Sequence, residues 1–254
     1  MLMFFFYLLL LFFAEKNHQI DNENDSTRQE TELKNEFKKL PKSMDDNEII
    51  AQSILFFIAG FETTATTLTN VLFELAMSPE LQEELKDELN MKLQNIDENS
   101  AEYYETVNNK IPLLNAFIKE TLRKYPPVPR LTRVCGVDDY TLGNMKLKKN
   151  QTVEIPVFVV HNNPEYYPDP ELFIPSRFLY PETAKKLPYL SFGDGPRNCV
   201  GMRFAYIEIK LCLAKIVRSF VFLKAPSTPK KLQFQKLFLT ATLPFDLCVQ
   251  KRNN

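Results

Sequence analysis

Tryptophan is absent from this 254-residue chain, histidine occurs twice and glycine only six times. The four cysteines, at positions 135, 199, 212 and 248, show no CxxC spacing. With so few histidines beside them, that argues against a zinc cluster, and thiols this scattered suit a reduced, cytosol-facing protein better than a disulfide framework. Neither charge dominates: 31 basic against 32 acidic residues leave a formal net charge of −1, without a long basic block. Nucleic acid is therefore not expected as a partner. No positive charge precedes the apolar run Met1 to Ala14 and no small-residue cleavage site follows it, so it does not read as a secretory signal. It is also shorter than the roughly 20 residues of a spanning helix. A membrane-anchor or interfacial segment is the reading that remains, with a mis-set start as its alternative.

What is present begins with a change of composition. Glu15 to Ser43 is rich in Asn, Asp, Glu, Lys and Gln, as in a polar linker or frayed helix end. From residue 44 to 254 the pattern is that of a folded domain. Asp45 and Glu48 form a capping-box-like start, and Ile49 to Met77 runs apolar at helical spacing. Within that helix Ala59-Gly60-Phe61-Glu62-Thr63-Thr64 is unusual, because Gly and clustered Thr both weaken a helix interior. It is either a packing notch or a face for a ligand, with Ala59 and Thr63 one turn apart.

Ser78 and Pro79 suggest a capped helix start, and Leu81, Leu85, Leu89 and Leu93 follow at amphipathic spacing. A further helix from about Pro112 to Tyr125 is stopped by Pro126, Pro127 and Pro129, and it carries Glu120 and Arg123 three residues apart. Short strands are expected at Leu131 to Val134, across Gly143-Asn144 as a hairpin, and over Gln151 to Val160. Phe220 to Leu223, Leu232 to Leu239 and Phe245 to Val249 read as closing strands. His161, followed by Asn-Asn-Pro, reads as a loop residue. The fold class is mainly α with a small β-sheet, an α+β arrangement.

The densest chemistry lies in Phe192-Gly193-Asp194-Gly195-Pro196-Arg197-Asn198-Cys199-Val200-Gly201, directly before a helical pattern from Met202 to Val217. Three glycines allow positive φ and close approach to a flat ligand. A thiol at a helix start is favoured as thiolate, and such a sulfur suits iron. A buried structural thiol is the bland alternative for a lone cysteine.

The whole string resembles the haem-ligand signature of the cytochromes P450. That resemblance extends to the distal-helix stretch at 59–64, to Glu120 and Arg123 as the ExxR pair, and to Pro175-Ser176-Arg177-Phe178 as the loop bearing the third member of that triad. Ser176 stands where the family commonly has an acid. The implied fold is the C-terminal, haem-binding half of the family's fold, most like the microsomal drug and steroid hydroxylase and thromboxane synthase branch.

Several roles follow by resemblance. Cys199 would be the axial ligand of haem b, with Arg197 and Arg133 on its propionates, Phe192 beside the sulfur, and Gly201 and Ala59 permitting close contact. Thr63 and Glu62 would serve proton delivery, and Glu120, Arg123 and Arg177 would form a structural triad. The activity implied is a haem-thiolate monooxygenase that inserts one atom of dioxygen into a small hydrophobic substrate. Its electrons would come from NADPH through a reductase at the cytosolic face of the endoplasmic reticulum membrane.

Lys185, Lys186, Arg203 and Lys210 are candidates for a basic face toward that reductase, and the turn at Leu243 and Pro244 for a wall of the pocket. Members of the family are longer, and the helix whose Trp and Arg grip a propionate has no counterpart here. A truncated, non-catalytic fragment with weak or no haem binding is therefore the alternative.

Overall fold

The computed structural model describes residues 43–235 and 239–252. The apolar segment expected at 1–14 and all of the expected linker except Ser43 lie outside the described residues, as does part of the strand expected at 232–239. The chain divides into two compact units, 1–61 and 62–254, and one helix, α1 (Asp46–Met77), runs through the division. Its start is the expected capping box: the Asp45 amide donates to Glu48 Oε2 at 3.0 Å and the Glu48 amide to Asp45 Oδ1 at 2.9 Å.

In the first unit the described residues are 43–61. Ile50, Ile54, Leu55 and Ile58 are exposed there, and the rings of Phe57 and Phe61 stack at 6.0 Å. By length and composition α1 is apolar enough to cross a membrane.

The second unit is built on helices. Within it the last turns of α1 are buried from Val71 to Ala76, apart from the half-buried Leu72. α2 (Pro79–Leu93), α3 (Ala101–Asn109), α4 (Pro112–Lys124) and α7 (Met202–Ser219) follow along the chain. The leucine stripe of α2 is the buried one, with Leu85 and Leu89 fully enclosed and Leu93 at 2% exposure. Leu114, Phe117 and Ile118 of α4 meet Ile209, Leu213 and Val217 of α7 in the same core. These spacings of three and four place each set on one helix face.

Ser78 occupies the cap position of α2, yet its hydroxyl makes no capping bond. The start rests instead on Pro79, whose missing N–H would have been unsatisfied there in any case. α3 was not foreseen; the Ser100 hydroxyl caps it by accepting the Tyr103 amide at 3.1 Å.

Among the described residues the strands form three separate antiparallel pairs. β1 (Leu131–Val134) pairs with β4 (Thr152–Ile155), placing Arg133 opposite Val153. β2 (Tyr140–Leu142) and β3 (Met145–Leu147) make the hairpin expected at Gly143-Asn144, where Gly143 takes φ +57°. The strand expected to continue to Val160 stops at Ile155. Pro156 has no N–H for a ladder, and Val157–His161 turn into a short helix, α5. Beyond a 3₁₀ turn at Pro175–Phe178 lies a four-residue helix, α6 (Pro181–Ala184). β5 (Phe220–Lys224) pairs with β6 (Leu247–Lys251), and the stretch between them contributes one bridge, Phe234 to Thr242.

Gln82 covers the outer edge of β5. Its buried amide donates to Leu75 O and Phe222 O, both at 3.0 Å, and its Oε1 accepts the Phe222 amide at 2.8 Å. Replacing Gln82 with Leu keeps the volume but strands the Phe222 N–H and C=O inside the core. Urea unfolding should show a loss of about 2–4 kcal/mol; an unchanged midpoint would mean water satisfies those groups.

Candidate functional site

Cys199 lies on the loop that joins Leu190 to α7, and the loop is closed on itself. The Cys199 amide donates to Phe192 O at 2.8 Å, Gly193 N–H to Leu190 O at 2.9 Å, and Asp194 Oδ1 accepts Gly195 N–H at 2.7 Å. Gly193 and Gly195 take φ +73° and +72°, a conformation that side-chain-bearing residues adopt only with strain. A short 3₁₀ turn, Gly195–Arg197, precedes Cys199. Cys199 and Arg197 are exposed. A methyl group on Gly201 would stand 4.0 Å from Cys199 Sγ, the nearest neighbour it would meet.

Phe192 is half buried, and its ring lies 5.1 Å from that of Tyr206. Arg133 approaches the loop through its own strand, since Leu131 Cδ1 would be 3.7 Å from a Cβ at Gly193. The Arg133 guanidinium donates to Thr132 O at 2.9 Å. Cys199, Arg197, Phe192, Gly201 and the strand of Arg133 are thus one neighbourhood.

The loop is held from behind by the acid–base cluster of α4. Arg123 and Glu120 are both fully buried and joined by two bonds, Nε to Oε2 at 2.8 Å and Nη2 to Oε1 at 2.9 Å. Arg177 brings Nε within 3.5 Å of Glu120 Oε1 without aligning a hydrogen bond, and its Nη2 donates to Asp169 O. The Ile174 amide donates to Glu120 Oε1 at 3.0 Å, so the carboxylate also fixes the turn that carries Arg177.

From this cluster a chain of bonds reaches the loop. Arg123 Nη1 donates to His161 O at 2.9 Å, and His161 Nε2 accepts the Leu190 amide at 2.8 Å. Ser191 Oγ adds a bond to Leu122 O at 3.2 Å. Tyr189 stacks on His161 at 5.6 Å, and its hydroxyl lies 3.4 Å from that of Tyr206.

His161 and Ser191 are the positioning residues that sequence reasoning left without this role. The signal for Ser191 was its place directly before Phe192. For His161 nothing in the sequence indicated that its ring would carry the loop.

Thr63, Glu62 and Ala59 lie on α1. Thr63 is half buried and its carbonyl accepts Thr67 Oγ1 at 2.8 Å, while Glu62 and Ala59 are exposed. The turn at Leu243 folds back on its own segment, with the Leu243 amide on Gln233 O at 2.7 Å. Thr242 Oγ1 donates to Asn70 of α1 at 2.6 Å.

Of the four basic residues proposed as a surface, Lys185, Lys186 and Arg203 are exposed. Lys210 is not part of that surface. It faces the core side of α7, is 7% exposed, and spends its ammonium on Asn108 O at 2.7 Å. Its position one turn before the buried Leu213 and Ala214 explains the difference.

A cytochrome P450 family model matches residues 1–249. The chain belongs to that family. It is 39% identical to cytochrome P450 3A7 of Homo sapiens over 203 residues, which are 78% of this chain and 39% of that relative. Against cytochrome P450 3A11 of Mus musculus the identity is 42% over 200 residues, 77% of this chain and 39% of the relative. Cytochrome P450 3A19 of Capra hircus aegagrus is 40% identical over 194 residues, 75% of this chain and 87% of the relative. The match spans about two fifths of the length of the human and mouse relatives.

The pH response of this P450 scaffold follows from His161. Burial first, and then the Arg123 charge, pushes its pKa down to about 4 from 6.5, so the folded ring is neutral. Below pH about 6.5 the unfolded chain binds a proton that the folded chain does not, and stability falls until the folded ring also titrates near 4. The loss attributable to this group is roughly 3 kcal/mol. Denaturant curves at stepwise pH should show it, and His161→Gln, which keeps an acceptor for Leu190 N–H without titrating, should abolish that part of the slope. An equal slope in the variant would assign the acid response to other groups.

Proposed function

We propose that this chain carries the haem-binding region of a haem-thiolate monooxygenase, with Cys199 as the ligand of the iron. The observation that carries the reading is an exposed thiol on a loop closed by its own backbone and tied through His161 and Ser191 to a buried charge cluster. A soft anionic ligand held rigidly and left open on one side fits an iron porphyrin. The bare backbone at Gly201, beside the sulfur, leaves room for a flat ring, and Arg197 and Arg133 supply cations for two carboxylates.

Haem b bound there supplies the activation of dioxygen and the insertion of one oxygen atom into a carbon–hydrogen bond of a hydrophobic substrate. The chain's own residues do the rest. Cys199 would hold the iron through its sulfur. Arg197 and Arg133 would pair with carboxylates of the bound group, and Phe192 would shield the sulfur. On α1, Thr63 Oγ1 and the Glu62 carboxylate would hold and pass protons for that chemistry. Glu120, Arg123 and Arg177 fix the scaffold behind the loop.

Electrons come from NADPH through a reductase, with Lys185, Lys186 and Arg203 as the basic residues that meet its acidic surface. The same reading places the protein at the endoplasmic reticulum membrane, facing the cytosol. The three-part division into residues 1–14, 15–43 and 44–254 belongs to it as well. The relatives' shared family and the apolar length of α1 support the membrane assignment.

The deciding measurement is the reduced, carbon-monoxide difference spectrum of the haem-reconstituted chain beside Cys199→Ala. A Soret band far to the red, absent from the variant, is the expected result. Failure to take up haem, or the band of a neutral-ligand haem, would favour the alternative of a non-catalytic chain that keeps the motif without its function.

Gly201→Ala gives a second check. Its φ of −85° suits any residue and its nearest contact is at 4.0 Å, so the melting temperature without haem should be unchanged while haem uptake is lost. Normal uptake would remove Gly201 from the proposed cradle.

A further inference from the structure

Away from the Cys199 loop, a cleft of about 570 Å³ opens among the end of α3, the faces of α4 and α7, and the segment around α6. Ile111, Phe178 and Tyr189 give it apolar walls, and no Asp or Glu is among its lining residues. Two lysines approach it from different helices. Lys210 comes from α7, where its ammonium donates to Asn108 O at 2.7 Å and lies 5.6 Å from the centroid of the Tyr206 ring, with no carboxylate paired to it among the described residues. Lys119 comes from α4, half buried, and has no ion-pair or hydrogen-bond partner among the described residues. A third, Lys185, stands exposed at the rim, 3.8 Å from Glu182.

Buried ammonium groups without counter-charge are costly to a fold, and they are retained where something else supplies the charge. Here burial lowers the pKa of both Lys119 and Lys210, and the Lys119 charge lowers Lys210 further. Both residues line this one cleft, Lys119 from α4 and Lys210 from α7.

The donor set also has a shape. It consists of compact ammonium groups with the side-chain amide of Asn115 beside them, and no guanidinium fork lines the cleft. Ammonium groups act as compact point charges with three donors each, and two of them lining one cleft suit an anion with several acceptor oxygens, such as phosphate.

We propose that this cleft binds a phosphate-class oxyanion between Lys119 and Lys210. The anion sits between helices α4 and α7, so it neutralises both lysines and ties the two helices together. The site is independent of iron ligation and does not rest on the reading of Cys199. A free phosphate and the phosphate of a monoester present the same oxygens, and both sources fit the cleft's chemistry.

The test is a ³¹P NMR titration of the full chain with inorganic phosphate, at ionic strength held constant with chloride. A second arm uses glycerol 3-phosphate. Saturable line broadening is expected in at least one arm, lost in Lys119→Met and retained in Lys119→Arg. Lys119 has no bond to forfeit in the fold, so Lys119→Met should keep the wild-type circular dichroism. Tighter binding of the monoester assigns the site to a phosphorylated organic ligand, and tighter binding of inorganic phosphate assigns it to the free anion. Broadening that fails to saturate in both arms, or that survives unchanged in Lys119→Met, would overturn the proposal.

Discussion

A fully buried guanidinium governs the arrangement of this chain. Arg123 cannot lose its charge, so every element packed around it must present an acceptor, and four do: Glu120 on its own helix, and the carbonyls of His161, Pro170 and Leu172. Tyr167 adds the face of its ring, with the guanidinium carbon 5.3 Å from the centroid. The geometry is over-determined, because moving any one partner would leave a buried charge short of a bond. The Cys199 loop inherits this rigidity through His161, whose carbonyl faces the cluster and whose ring faces the loop. One residue thus joins charge satisfaction in the interior to the placement of an exposed thiol.

Much of this could be read in the amino-acid sequence, and the reasons differ from element to element. The capping box at Asp45 and Glu48, the hairpin at Gly143-Asn144 and the helix after Gly201 were legible because each is specified by local chemistry within a few residues. The loop at 192–201 was legible as a string. Its closing bond from the Cys199 amide to Phe192 O is short-range as well.

What escaped was long-range. One exception is local: the expected strand after Ile155 gives way to α5 because Pro156 has no N–H for the ladder. The burial of Lys210, one turn before Leu213 on the inward face of α7, depends on which face of that helix meets α3 and α4. His161 looked like a loop residue because its two bonds go to residues 38 and 29 positions away. The closing segment after β5 was harder still: among the described residues it makes one isolated bridge, and scattered bonds such as Thr242 Oγ1 on Asn70 and Thr240 N–H on Pro127 O hold it in place of a ladder.

The hairpin of β2 and β3 stands apart from all these dependencies. Its residues are exposed except for Leu147, it pairs with no other sheet, and its tip takes positive φ at Gly143. Segments with few buried contacts open with little free energy and accept insertions at their tips. The junction between Gly143 and Asn144 is therefore a natural place to graft a label, tether or affinity handle, because extra residues there would protrude into solvent without drawing on the charge cluster or the thiol loop.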